Sequence, residues 1–252
     1  MLSMRTSPAL SPKNLRRYNE WESVRDATRM TVATFGTLAG VEGIVHGIGE
    51  MLQGTTAPSE VLIRAWPGSE SMRVLDGWLA ITVVPNFLVT GVLTIIISLS
   101  FLAMVGILVW PTPFVSKKNG GLILVALSIA LMLVGGGVGP PLLGIIIGAA
   151  GTRIGAPLPR WCECFSTRSQ RLLPQVWRCL FVVSLFFWVV LVVGSILAGY
   201  LFHSNALSLI SMVLLVVVSY ALILLTVVTG FAYDTQQQIE LNQMLSTDRY
   251  RL

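Results

Sequence analysis

The chain has little charge and few cysteines. Of its 252 residues only 12 % are charged, against about 25 % in soluble domains, while 54 % are hydrophobic. This composition excludes an ordinary soluble domain. The three cysteines do not form a disulfide framework, and the pair Cys162 and Cys164 lacks the second pair that a structural zinc site requires.

Catalytic signatures are also missing. The sequence has no Gly-x-Ser-x-Gly motif, no His-Glu-x-x-His motif, no Walker loop and no dinucleotide fingerprint. No nucleic-acid-binding module is visible, so no nucleic-acid partner is expected, and the net charge of +5 is better explained by membrane topology. An enzyme is therefore the less favoured class.

Long apolar runs dominate what is present. A helix needs about 20 apolar residues to cross the hydrocarbon core. Four segments predict such spans: residues 31–52, 87–109, 179–202 and 207–231. Because these runs show no polar alternation, they predict an all-α, polytopic helical protein that is multi-pass in the cell membrane.

The same runs divide the chain into three parts. Residues 1–30 are expected to form a cytoplasmic tail with an amphipathic helix on the membrane surface. Residues 31–231 would be the transmembrane domain. Residues 232–252 would be a cytoplasmic C-terminal tail that is helical only at its start.

A further apolar segment, residues 121–150, follows a predicted turn at residues 117–120. It is interrupted by residues that cannot together propagate a regular helix: Gly135, Gly136, Gly137, Gly139, Pro140 and Pro141. As a helix, residues 121–134 would span only about 21 Å, against a core of ~30 Å. A re-entrant hairpin and two full crossings are therefore both open, which gives four to six crossings.

The distribution of lysine and arginine predicts the orientation. If residues 121–150 crossed once, the basic residues would be shared almost equally between the two sides. If this segment returns to its own side, nearly all basic residues lie together. The positive-inside rule therefore predicts both termini in the cytoplasm and the glycine-rich bend toward the outside. Arginines of residues 153–178 are expected to face anionic lipid head groups of the bilayer at the cytoplasmic face.

Three ionisable residues lie on one stripe of the first span. Glu42, His46 and Glu50 are spaced four residues apart, so on a helix they share one face. Placing a charged side chain at the centre of a membrane helix costs about 2.5–3.5 kcal/mol on the scale from insertion experiments, which gives lower values than simulations do. This face is therefore expected to turn away from lipid. Three interpretations are open: a relay for protons or small cations, a divalent metal site with ligands from another helix, and a polar network that locks helices together.

A strip of glycines lies beside this stripe, made of Gly36, Gly40, Gly43 and Gly47. Small residues at this spacing let another helix approach closely, so the strip predicts a packing face, for a neighbouring helix or for a second copy in a homo-oligomer.

The glycine-rich bend is interpreted either as a broken-helix site whose freed backbone groups bind an ion or as a simple loop tip. Asn86 is expected to face inward, by default in a helix–helix hydrogen bond.

Two stretches carry a resemblance. The first contains Gly40-Val41-Glu42-Gly43, His46-Gly47-Ile48-Gly49-Glu50 and Gln53-Gly54, and the second runs from Gly135 to Gly144 as GGGVGPPLLG. Together they resemble an uncharacterised family of prokaryotic multi-pass membrane proteins, over about residues 30–155. The resemblance implies no activity, and no functional residue is carried over from it.

These features favour a small transporter or channel for protons or a small cation, with a polar site between the first span and the broken hairpin. The alternative is a non-catalytic structural or accessory membrane protein that assembles through the glycine strip. An intramembrane metal-dependent enzyme comes third, with Glu42, His46 and Glu50 as the metal ligands.

Overall fold

The computed structural model describes residues 27–55, 86–109, 117–154, 167–201 and 206–249. Within these ranges the chain forms six helices and no strand, which confirms the all-α class for them. In chain order the helices are α1 (Ala27–Met51), α2 (Phe87–Val109), α3 (Lys117–Leu133), α4 (Gly139–Gly151), α5 (Thr167–Leu201) and α6 (Ala206–Arg249).

Four of these helices are long and apolar enough to cross a membrane. The segments are Ala27–Met51 in α1, Phe87–Val109 in α2, Leu172–Gly194 in α5 and Val213–Gln237 in α6, and each contains 23 or 25 residues. The helices α3 and α4 are shorter, at 17 and 13 residues. This is the architecture of a membrane-spanning helical protein with a short helical hairpin between its second and third candidate spans.

The helix α1 lies at the centre of the bundle. It packs against α2, α4 and α6 and also touches α5, whereas α3 packs against α2 and α4. Side chains from all six helices meet in an apolar core whose largest fully buried members include Phe35, Leu143, Ile147, Trp188 and Ile223. Because α1 is enclosed on several sides, much of its surface is kept away from lipid.

The glycine strip of α1 is covered by α2 of the same chain. A Cβ atom on Gly47 would lie 2.8 Å from the carbonyl oxygen of Gly91, and one on Gly91 would lie 2.5 Å from that of Gly47. The other three glycines face α2 side chains, with Gly36 on Val105, Gly40 on Leu102 and Gly43 on Ser98. The two helices therefore run antiparallel with their backbones in direct contact.

The start of α1 depends on a residue distant in sequence. The carboxylate of Asp234 on α6 accepts hydrogen bonds from the backbone N–H groups of Ala27, at 2.7 Å, and Thr28, at 2.9 Å. First-turn N–H groups have no partner within their own helix, and a negative charge is favourable at this end of the helix dipole. The helix that contains nearly all of the predicted span 31–52 therefore begins at Ala27, where α6 caps it.

Replacing Asp234 by asparagine is expected to lower the free energy of unfolding by about 1–2 kcal/mol, because the charge and one of two acceptor oxygens are lost. The measurement is thermal or denaturant unfolding in detergent. Thr235→Val is the matched control, because the neighbouring Thr235 hydroxyl bonds the Phe231 carbonyl of its own helix. Equal stability of both variants would contradict the capping role.

Three predicted boundaries need correction. Residues 117–120 are not a turn but the first turn of α3. The glycines near that helix start serve close packing, since a Cβ on Gly121 would lie 2.6 Å from the carbonyl oxygen of Gly148 on α4. The helix α6 continues to Arg249, so the C-terminal tail is helical far beyond its start.

The third correction concerns α5, which begins at Thr167 rather than near Cys179 and contains Pro174 in its interior. The basic segment of residues 153–178 is expected only to face lipid head groups, but Leu173, Trp177 and Phe181 are buried at helical spacing. Trp177 stacks on Tyr233 of α6, with ring centroids 6.1 Å apart. This packing stabilises a helix that local sequence does not reveal. The amphipathic helix predicted within residues 1–30 lies almost wholly outside the described residues.

Candidate functional site

The break between α3 and α4 forms the tip of a hairpin that lies against α1. Only residues 134–138 are non-helical. Gly135 and Gly137 adopt φ values of 97° and 73°, which side chains other than glycine rarely tolerate. The predicted break is present but shorter than expected, because Gly139-Pro140-Pro141 form the first turn of α4, where proline is well accommodated.

Glu42 faces the start of α4. A Cβ on Gly139 would lie 3.1 Å from Glu42 Oε1, so the carboxyl group lies directly against the backbone of the hairpin. The other oxygen, Oε2, is buried and has no hydrogen-bond partner in the described part of the chain. Glu42 thus brings a carboxyl group into the middle of a candidate membrane span, and one of its two oxygens has no hydrogen-bond donor there among the described residues.

His46 and Glu50 continue the stripe toward the end of α1. The ring of His46 lies against the hairpin tip, with Nε2 3.2 Å from the Gly135 carbonyl oxygen. The same nitrogen is 3.7 Å from Glu50 Oε1. Glu50 is fully buried, and its Oε2 accepts a hydrogen bond of 3.2 Å from the hydroxyl of Thr94 on α2. The stripe is therefore enclosed by the hairpin on one side and by α2 on the other.

Tyr220 is a site residue that the sequence did not reveal. Its hydroxyl donates a 2.7 Å hydrogen bond to the Gly139 carbonyl oxygen and would lie 3.9 Å from a Cβ on that residue, beside Glu42. Its ring packs edge-on against the buried Trp188, with centroids 5.4 Å apart. An isolated tyrosine in the apolar part of α6 gives no periodic signal, and only the packing of α6 on α1 and α4 brings Tyr220 to Glu42.

Replacing Tyr220 by phenylalanine is expected to loosen the hairpin tip while leaving the ring packed on Trp188. The loss of one buried hydrogen bond should lower stability by about 1 kcal/mol and increase amide hydrogen exchange in residues 134–142. Tyr233→Phe is the control, because the Tyr233 hydroxyl accepts from Gln237 on the same helix, at 2.7 Å. Unchanged exchange at the tip in Tyr220→Phe would show that the hydroxyl does not hold the hairpin.

Asn86 lies directly before α2. Its side-chain oxygen accepts the backbone N–H of Val89 at 2.9 Å, and its carbonyl oxygen accepts the Thr90 hydroxyl at 3.0 Å. These bonds satisfy groups in the first turn of α2, as an N-terminal cap does. These bonds lie within the start of α2 itself, and the predicted helix–helix hydrogen bond of Asn86 stays a prediction.

The geometry gives no support for a metal centre. Across the residues that the structure describes, no group of three or more His, Cys, Asp or Glu side chains could hold a metal ion. Glu42 turns to Gly139, whereas Glu50 turns to Thr94, so the two carboxylates have different neighbours. The divalent metal stays a prediction from the sequence.

The stripe of Glu42, His46 and Glu50 lies in the second half of α1. From Glu42 toward the start of α1, the interior is mostly apolar and includes the buried Val32, Phe35, Ile147 and Trp188, beside the buried Thr28 and Thr31. From Glu42 toward Met51, it contains the imidazole, the second carboxylate and the Thr94 hydroxyl. The arrangement can take up and hold a small positively charged species on one side of an apolar barrier.

Comparison of the chain with protein-family models, with curated proteins and with solved structures finds no match in any of the three. The resemblance to an uncharacterised prokaryotic membrane family therefore stays a prediction.

Proposed function

We propose that this protein moves protons or a small cation across a membrane through the polar stripe of α1. The observation that carries the proposal is the buried Oε2 of Glu42, which has no hydrogen-bond partner within the described ranges. A buried polar atom without a partner is costly, and ionisable residues inside membrane spans most often belong to ion or proton pathways. An ion that binds and leaves would satisfy this oxygen intermittently.

The neighbours of Glu42 support a pathway rather than an isolated site. His46 and Glu50 extend the stripe by successive helical turns, and the His46 ring reaches both the hairpin tip and Glu50. The tip itself is irregular backbone, which at membrane depth is tolerated where it is buried in protein or lines a water-filled cavity. Movement of this tip relative to α1 would open the way past Glu42.

The membrane arrangement is part of the proposal. At about 25 Å and about 20 Å in length, α3 and α4 are shorter than the ~30 Å hydrocarbon core, which favours a re-entrant hairpin within a four-span bundle. Both ends of the chain would then lie in the cytoplasm, with the protein in the cell membrane. The exposed Arg153 and Arg178 would meet anionic lipid head groups there.

The accessory-protein alternative receives less support. It requires the glycine strip to recruit a partner or a second copy, but α2 of the same chain already covers Gly36, Gly40, Gly43 and Gly47. A homo-oligomer would have to use another surface. The metal-dependent enzyme would need ligands beyond those that α1 brings together.

The test is ion flux in vesicles that contain the purified full-length protein. An imposed membrane potential should drive acidification, or uptake of a small cation, in wild-type vesicles. Glu42→Gln should reduce this flux to the level of protein-free vesicles, because the carboxyl group is lost while size and hydrogen-bonding capacity are kept. Thr37→Val is the control, since Thr37 is exposed on the same helix and bonds the Ala33 carbonyl oxygen. Wild-type flux equal to that of protein-free vesicles would overturn the proposal.

A further inference from the structure

Two backbone carbonyl groups at the bend already have hydrogen-bonding partners. His46 Nε2 lies 3.2 Å from the Gly135 carbonyl oxygen, and the Tyr220 hydroxyl donates to that of Gly139 at 2.7 Å. In transporters with broken helices, backbone carbonyl groups that the break leaves without a helical partner coordinate the coupling ion, such as Na⁺. A cation that sheds its water needs several such oxygen ligands at once. Here both carbonyls are engaged by side chains instead.

Glu42 Oε2 is a buried side-chain acceptor at the bend that has no donor among the described residues. The first turn of α4 offers little to it. Pro140 and Pro141 have no N–H group, and the N–H of Leu142 is bonded to the Val138 carbonyl oxygen at 3.2 Å. A bound proton would turn this oxygen into a hydroxyl group and remove the buried charge without any further ligand.

The ring of His46 lies against the hairpin tip, one helical turn from Glu42. Because a carbonyl oxygen can only accept, the contact with Gly135 assigns a ring hydrogen to Nε2, and in the neutral ring Nδ1 is then an acceptor. That nitrogen lies at the tip, 3.3 Å from where a Cβ on Gly137 would be. Tyr220 on α6 lies beside Glu42 at Gly139, His46 and Glu50 follow Glu42 at successive turns of α1, and the described parts of α2 and α4 carry no charged side chain.

From these contacts we infer that the ion taken up at Glu42 is a proton and not a dehydrated metal cation. This inference rests on the proposed function and names the transported species. Uptake transfers a proton from hydronium to the Glu42 carboxylate, so that an O–H bond of hydronium breaks, an O–H bond on Glu42 forms and water is left, and release is the reverse transfer. No electron moves, and no other reactant is needed.

Two measurements on the full-length protein test this. In detergent, the protons taken up after a drop in pH are counted for wild type and Glu42→Gln, beside equilibrium binding of Na⁺ and of Mn²⁺. In vesicles, flux of protons, Na⁺ and Mn²⁺ is followed for wild type alone, so a variant that fails to fold does not affect the result. We expect wild type to take up one more proton than Glu42→Gln, saturable binding of neither metal, and flux of protons only.

The outcomes separate the inference from the function on which it rests. Flux of Na⁺ or Mn²⁺ without proton flux, or metal binding that Glu42→Gln abolishes, would overturn the inference and leave transport standing. Proton uptake at Glu42 without flux of any ion would overturn transport and uphold the proton as the ligand. Equal proton uptake by wild type and a folded Glu42→Gln would overturn the inference.

Discussion

Replacing Gly91 by alanine is expected to destabilise the protein by about 1–3 kcal/mol, the usual range for overpacking a close contact. The new Cβ would lie 2.5 Å from the Gly47 carbonyl oxygen and 2.8 Å from the Met51 backbone nitrogen. Backbone atoms cannot rotate away as a side chain can, so α1 and α2 would have to separate. Unfolding in detergent measures the loss.

Gly106→Ala is the matched control on the same helix, because a Cβ there would meet nothing within 4 Å. It should leave stability unchanged or raise it by about 0.5–1 kcal/mol, since alanine favours the helix more than glycine does. A similar response of both positions would mean that α1 and α2 do not approach at Gly47. Because Thr94 follows Gly91 on α2, separation of the helices should also remove its hydrogen bond to Glu50.

Gly137→Ala is expected to disturb the hairpin tip and reduce ion flux. The φ of 73° places this residue in the left-handed region, where a Cβ costs about 1–2 kcal/mol. The added methyl group would also lie 3.0 Å from the Cε1 atom of His46. The ring would be pushed from its position beside the Gly135 carbonyl oxygen. Thermal unfolding and vesicle flux together measure both effects.

Gly54→Ala separates the two causes. Gly54 has a nearly equal φ of 72°, but a Cβ there would meet nothing within 4 Å. Its alanine variant should therefore show the backbone effect on stability alone and retain wild-type flux. If Gly54→Ala and Gly137→Ala lost flux to the same extent, contact between the tip and His46 would not be needed for function.

Local sequence was sufficient for the parts of the fold that depend on apolar length and on helix breakers. The second span is predicted and found at Phe87–Val109, because Pro85-Asn86 and the residues after Val109 limit one continuous apolar run. The break before α4 follows from clustered glycines. The stripe of Glu42, His46 and Glu50 follows from helical spacing, and the structure places all three inward from the exposed Val41, Val45 and Ile48.

Long-range contacts explain what the sequence could not show. The start of α1 at Ala27 depends on Asp234, and the start of α5 depends on packing of Trp177 and Phe181 against other helices. Tyr220 joins the site only because α6 packs near Gly139. Each of these contacts links residues far apart in the chain, so no local pattern contains them.

The position of α1 at the centre of the bundle has a consequence for biogenesis. This helix precedes the other described helices in the chain, yet two of its neighbours lie on α6. Glu42 lies beside Tyr220, and the backbone N–H of Ala27 donates a hydrogen bond to Asp234. When α1 is synthesised, lipid or the insertion machinery is all that surrounds its carboxylates, and both are poor substitutes for protein neighbours. We therefore expect α1 to integrate stably only after α6 has been made, so that ribosome-bound chains truncated before Tyr220 would remain accessible to membrane quality-control proteases.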